Sequence, residues 1–134
     1  MKKLALCLLL SLTACGGSRE FSRASFNGPL QCAPYARSRT GLQLRGDAAS
    51  WWRQSAGHYA RSHSPIAGSV LVFRATSRVP SGHVSIVRRQ ISSRTLLVDH
   101  ANWEPGRIDR NVPITDASPD LDWTPVRVCS APIH

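Results

Sequence analysis

Ser69-Val70-Leu71-Val72-Phe73 is a short apolar run entered through Pro65 and Gly68, and it divides the chain in two. A run of this length between turn-forming residues reads as a strand. Downstream, His83-Val84-Ser85-Ile86-Val87 follows the turn residues Pro80-Ser81-Gly82, Thr95-Leu96-Leu97-Val98-Asp99-His100 supplies a third strand, and Trp123 to Val128 a last one. Residues 104–122 are rich in Pro and Asp and read as loop, with at most a short strand at Val112–Ile114. Upstream the signals are helical. Pro34 fits the first turn of a helix that begins near Cys32, and Gly41 stops it. Asp47 is the expected N-cap of a second helix, Ala48 to Ala56, with Gly57 as its breaker; of Trp51 and Trp52 in that helix, at least one should reach the core. Helices first and strands afterwards predict an α+β domain, the N-terminal helices packed on an antiparallel sheet.

At 134 residues there is room for one small domain. Lys2 and Lys3 precede the apolar run Leu4 to Leu10, so residues 1–14 are expected to be a secretory signal, the run being too short to span a membrane. Leu12-Thr13-Ala14-Cys15 resembles the bacterial lipobox, in which the cysteine, here Cys15, is lipidated and becomes the first mature residue. Residues 15–29, with Gly16-Gly17-Ser18 near their start, are the expected tether, and residues 30–134 the folded domain. The plainer alternative is an ordinary signal peptide with a cysteine near its cleavage site. The expected location is the cell envelope, on the periplasmic face of a bacterial membrane through a lipid anchor; Gly16 is compatible with the outer membrane.

Cleavage before Cys15 leaves 15 arginines against 8 acidic residues, a formal charge of +7 with no lysine. Only Arg88-Arg89 are adjacent and no aromatic residues interleave with the arginines, which argues against a nucleic-acid platform. A basic surface suits anionic envelope material instead, such as peptidoglycan carboxylates or lipid head groups.

Cys32 is placed at the start of a helix, where the macrodipole and unpaired amides favour the thiolate that attacks carbonyl carbon. His83, behind Gly82 at the mouth of a strand, is the candidate base. Taken singly, a buried structural thiol and a surface histidine are the ordinary readings; together, in this order and in an exported chain, they predict a thiol hydrolase. An imidazole base needs an orienting partner. Strand alternation puts His100 and Asn102 on one face and Asp99 on the other, so either of the first two is expected to hold His83; Asp99 has the right charge but the wrong direction, and is expected to face solvent or anchor a loop. Trp103 shields the base or simply packs, and Gln31 is a candidate oxyanion donor beside the Cys32 amide. Two competing expectations use the same residues. A Cys32–Cys129 disulfide removes the nucleophile, and zinc held by Cys32, His83, His100 and Cys129 lacks the short paired spacing of such sites. No metal or organic cofactor is expected.

Gln31-Cys32-Ala33-Pro34-Tyr35-Ala36-Arg37, Pro65 to Phe73, Gly82-His83-Val84 and Asp99-His100-Ala101-Asn102-Trp103 together resemble the CHAP family, the cysteine- and histidine-dependent amidohydrolases/peptidases of the papain-like superfamily. The resemblance covers roughly residues 30–128 and implies a papain-like fold, residues 30–134 acting as the catalytic domain. It implies hydrolysis of amide bonds in peptidoglycan stem peptides or between sugar and peptide, with Cys32 as nucleophile and His83 as base. Many members carry a glutamate two residues before the asparagine, where this chain has His100, so His100 and Asn102 are expected to share the orienting role. A catalytically weak or inactive peptidoglycan-binding lipoprotein is the alternative expectation.

Overall fold

Pro34 and Gly41 bracket the first helix, α1, Cys32–Thr40. Proline lacks only an amide hydrogen that the first turn leaves unpaired. Gly41 takes the left-handed conformation (φ 74°) and returns its N–H to the Arg37 carbonyl at 2.9 Å, which closes the helix. The computed structural model describes residues 30–129. The expected signal segment, Cys15 and the tether lie outside the described residues.

The second helical segment is shorter than its expected Ala48–Ala56. It is a 3₁₀ turn, Ala48–Ser50, followed by the single turn α2, Trp51–Gln54. Asp47 holds the N-cap position but makes no side-chain cap bond. The Ala49 amide bonds across to the Ser81 carbonyl at 3.0 Å, joining this turn to the hairpin that carries His83. Trp51 is buried at 1 % exposure and Trp52 is exposed, so one tryptophan of the pair reaches the core.

Five strands follow as an antiparallel meander: β1 Val70–Phe73, β2 His83–Ser92, β3 Thr95–Ala101, β4 Ile108–Asp116 and β5 Val126–Val128. β4 corrects the reading of 104–122 as loop. Its alternation is broken at Asn111 (φ 52°), beside the register shift between Val98 and His100, and Pro113 and its aspartates disguise the rest. Pro113 is tolerated because its carbonyl, and hence its missing N–H, faces β5 where that strand's pairing ends, at the Cys129 amide.

Alternate residues of β1 divide the apolar side chains between two clusters. Val70 and Val72 pack with Val84, Ile86, Ala101 and the α1 residues Ala33, Tyr35 and Ala36. Leu71 and Phe73 pack with Val87, Leu96, Val98, Val112 and Ile114 on the other, inner face. The observed α+β architecture thus places the start of α1 and the mouths of β2 and β3 around one cleft.

Candidate active site

Cys32 is the first residue of α1, half-buried, and free. The Cys32–Cys129 bridge is therefore not formed; Cys129 is disulfide-bonded elsewhere. No acidic residue lies in the first turn of α1, so nothing there opposes the positive end of the helix dipole. Gln31 precedes it in extended conformation (φ −133°) and is exposed, its side chain making no cap bond. Both residues line a cleft of about 1010 Å³ together with His83, Asn102 and Trp103. A second hollow, of about 1110 Å³, runs along β1, Trp52 and Trp123 and is lined by neither Cys32 nor His83.

Gly82 fixes where His83 stands. Its φ is 69°, and a Cβ there would lie 2.5 Å from the Phe73 carbonyl and 2.7 Å from the Ala49 amide nitrogen. Only glycine lets the 3₁₀ turn approach this closely. His83 is 3 % exposed, with Phe73 and Trp103 against its ring at centroid distances of 5.5 and 4.9 Å. Burial lowers its pKa from 6.5 to about 4, so the ring is neutral at neutral pH.

Of the two expected partners of His83, His100 is the one in contact with it. His83 Nε2 lies 3.0 Å from His100 Nδ1, and both rings are buried. Trp103 stacks on the His100 ring at 5.8 Å and 12°, so its indole covers the pair. Asn102 does not share this role by contact. β3 ends at Ala101, Asn102 takes φ 60°, and its side-chain oxygen accepts the Gly106 amide at 3.0 Å. The alternation that put Asn102 beside His100 stops where the strand stops. Asp99 is buried and bonds within the sheet rather than to a loop: its carboxylate accepts the amide of Asn111, at the bulge in β4, at 2.9 Å and faces Arg88 at 3.6 Å.

Two neighbours of His100 escaped the sequence reading. Ser85 Oγ lies 3.1 Å from His100 Nδ1. Its place two residues after His83 already put it on the same face of β2, a signal the sequence offered. Asp109 pairs with His100 in the β3–β4 ladder and gives its carboxylate to Arg107 at 3.1 Å. Among the described residues, Cys32, His83 and His100 do not belong to any group of three or more potential metal ligands.

The geometry provides a thiol at a helix start, a buried neutral imidazole in the same cleft, and a second imidazole 3.0 Å from its Nε2. A search of curated proteins and one of solved structures found no match. A family profile, described as CHAP domain, matches residues 23–102. It runs from before α1 to the end of β3, so β4 and β5 lie beyond the matched stretch, which is shorter than the 30–128 of the sequence resemblance. Because that match spans more than half of the 134 residues, the chain belongs to the CHAP family.

Proposed function

We propose that this protein is a cysteine amidase or endopeptidase that hydrolyses amide bonds of peptidoglycan, held in the cell envelope through lipid on Cys15. The observation that carries the reading is the shared cleft of Cys32 and His83, with His100 on the Nε2 side of the base. Burial keeps the ring of His83 neutral, the form that can take a proton from the thiol as a general base. Cys32 Sγ attacks the amide carbon as its proton passes to His83. The imidazolium returns that proton to the leaving amine, which departs to leave a thioester. Water, deprotonated by the same ring, then hydrolyses the thioester and restores the thiol. The Cys32 amide and the Gln31 side chain are the oxyanion donors, each worth about 3 kcal/mol of barrier by analogy with other hydrolases.

Digestion of purified peptidoglycan by the mature protein and by Cys32→Ala tests this, with products read by mass spectrometry. New fragments from the wild type alone, at least about 10⁴-fold above the variant, are expected and name the bond cut. Equal digestion by both refutes the assignment. A second reading is a wall-binding lipoprotein with little turnover, favoured by the absence, among the described residues, of a carboxylate bonded to His83. Retention on peptidoglycan without fragments from either protein would favour it. The anchor is tested by the mass of mature Cys15, whose sulfur is expected to carry diacylglycerol.

A further inference from the structure

Ser85 is wholly buried and lies on the same face of β2 as His83. Among the described residues its hydroxyl has one hydrogen-bond neighbour, His100 Nδ1 at 3.1 Å, and that same nitrogen lies 3.0 Å from His83 Nε2. A neutral imidazole nitrogen offers either one proton or one lone pair, so two neighbours on one nitrogen restrict where the protons sit. With the proton on His100 Nδ1, one hydrogen faces two acceptors and the buried Ser85 hydroxyl loses the one place to donate that it has among the described residues. With the lone pair there, the Ser85 O–H and the His83 Nε2–H both donate to it. His83 then keeps its own lone pair on Nδ1, the nitrogen that His100 does not engage, where a thiol proton can be received.

We propose that Ser85 is a positioning residue: its hydroxyl donates to His100 Nδ1, holds that nitrogen as an acceptor, and so fixes His83 in the Nε2-protonated tautomer that can deprotonate Cys32. An ionised carboxylate in the position of His100 would need no such helper, because it has no proton to misplace. A histidine there has two tautomers, and the hydroxyl selects one. The proton inventory balances through the reaction. The Cys32 proton moves to His83 Nδ1 and on to the leaving amine, while the Nε2 proton stays directed at His100 throughout.

The kinetic consequence rests on the amidase reading above; the tautomer does not. The test is a long-range proton–nitrogen correlation spectrum of the full chain labelled at its five histidines, assigned with single His→Gln variants. The expected wild-type pattern at neutral pH is a bare Nδ1 on both His83 and His100. Ser85→Ala should mix the tautomers of both rings and lower kcat about tenfold with KM little changed, the effect of one net hydrogen bond. Ser85→Thr, which keeps the hydroxyl, should restore both. A protonated His100 Nδ1 in the wild type overturns the proposal, as does a Ser85→Ala spectrum with both rings unaltered. Should Ser85→Ala fail to fold, the wild-type spectrum decides. A protein that digests no wall fails the amidase reading, and its tautomers still test the role of Ser85.

Discussion

At one end of the inner sheet face His83, Ser85 and His100 are buried; at the other Asp116 and Ser118 are, with Val98, Val112 and Ile114 between them. Asp116 is surrounded by donors. Its Oδ1 accepts the Ser118 amide at 2.8 Å and the Ser118 hydroxyl at 2.6 Å, and Oδ2 accepts the Trp123 amide at 3.4 Å. Burial pushes the Asp116 carboxyl up, but the Ser118 hydroxyl and amide, the Trp123 amide and the Arg94 charge more than offset it and hold the group below the usual carboxylate range. His83 has burial without a compensating charge, and its pKa falls to about 4. A polar group given every partner it needs serves to hold a loop. One kept neutral and held by a single ring nitrogen stays available to take a proton.

The largest expected effect comes from breaking the His83 end at its seat. Gly82→Ala brings a methyl group against the Phe73 carbonyl and the Ala49 backbone, neither of which is a flexible side-chain tip, at a positive φ. A loss on the order of 3 kcal/mol in urea unfolding is expected. A loss under about 1 kcal/mol would mean the 3₁₀ turn and hairpin separate easily, and that His83 is not held by them.

Next, His100→Glu gives His83 the kind of charged partner that it lacks. A carboxylate on Nε2 favours the imidazolium and should move the His83 titration from about 4 upward by roughly 1–3 units. The rising limb of kcat/KM against pH should move with it, and an unmoved limb would show that another group sets the profile. The wild type carries the linked stability signature. Unfolded His83 binds a proton below pH 6.5 and folded His83 only below about 4, so the unfolded chain holds more protons in that window. Stability therefore declines as pH falls from 6.5 to 4, by up to about 3 kcal/mol, and His83→Gln should flatten that decline.

The opposite end responds with the opposite chemistry. Asp116→Asn keeps the shape and removes the charge that Ser118 and Trp123 stabilise, at a cost of about 2 kcal/mol by thermal or urea unfolding at neutral pH. Asp116 titrates below its unfolded value, so its contribution is complete above the ordinary carboxylate pKa and fades as pH falls through the lowered one. Wild type and variant should therefore converge in acid. Equal loss at all pH values would make the effect one of packing rather than charge.

How much of this could be read beforehand follows from how local each feature is. Cys32 at a helix start and His83 behind Gly82 are set by two or three neighbouring residues, and the sequence carried them. The placement of His100 and Asp99 on opposite faces of the sheet follows from alternation along β3. β4 was hidden because a bulge at Asn111 breaks that period and Pro113 argues against a strand. The link between Ser85 and His100 needs the β2–β3 register, in which Ile86 lies opposite Asp99, and no residue pattern prints a register. The end of β3 at Ala101 was likewise unreadable, because alternation has no marker for where it stops.

Asn102 makes that last point testable, since it stands in the cleft with His83 yet bonds like Asp116, into its own turn. If the side chain serves the turn, what matters is the left-handed backbone at φ 60° and the bond to the Gly106 amide. Asn102→Gly keeps the conformation cheaply and loses only the bond, so stability should fall by a few tenths of a kcal/mol to about 1 kcal/mol. Asn102→Ala loses the bond and strains the backbone as well, and should cost up to about 1 kcal/mol more. Both should keep kcat within about threefold of the wild type, because the ring of His83 is held by His100. A fall of tenfold or more in both variants, with the fold intact, would return Asn102 to the orienting role and make the two-histidine contact insufficient. Equal stability of the two variants would show that the turn does not depend on its left-handed residue, which would remove the reason for an asparagine at this position.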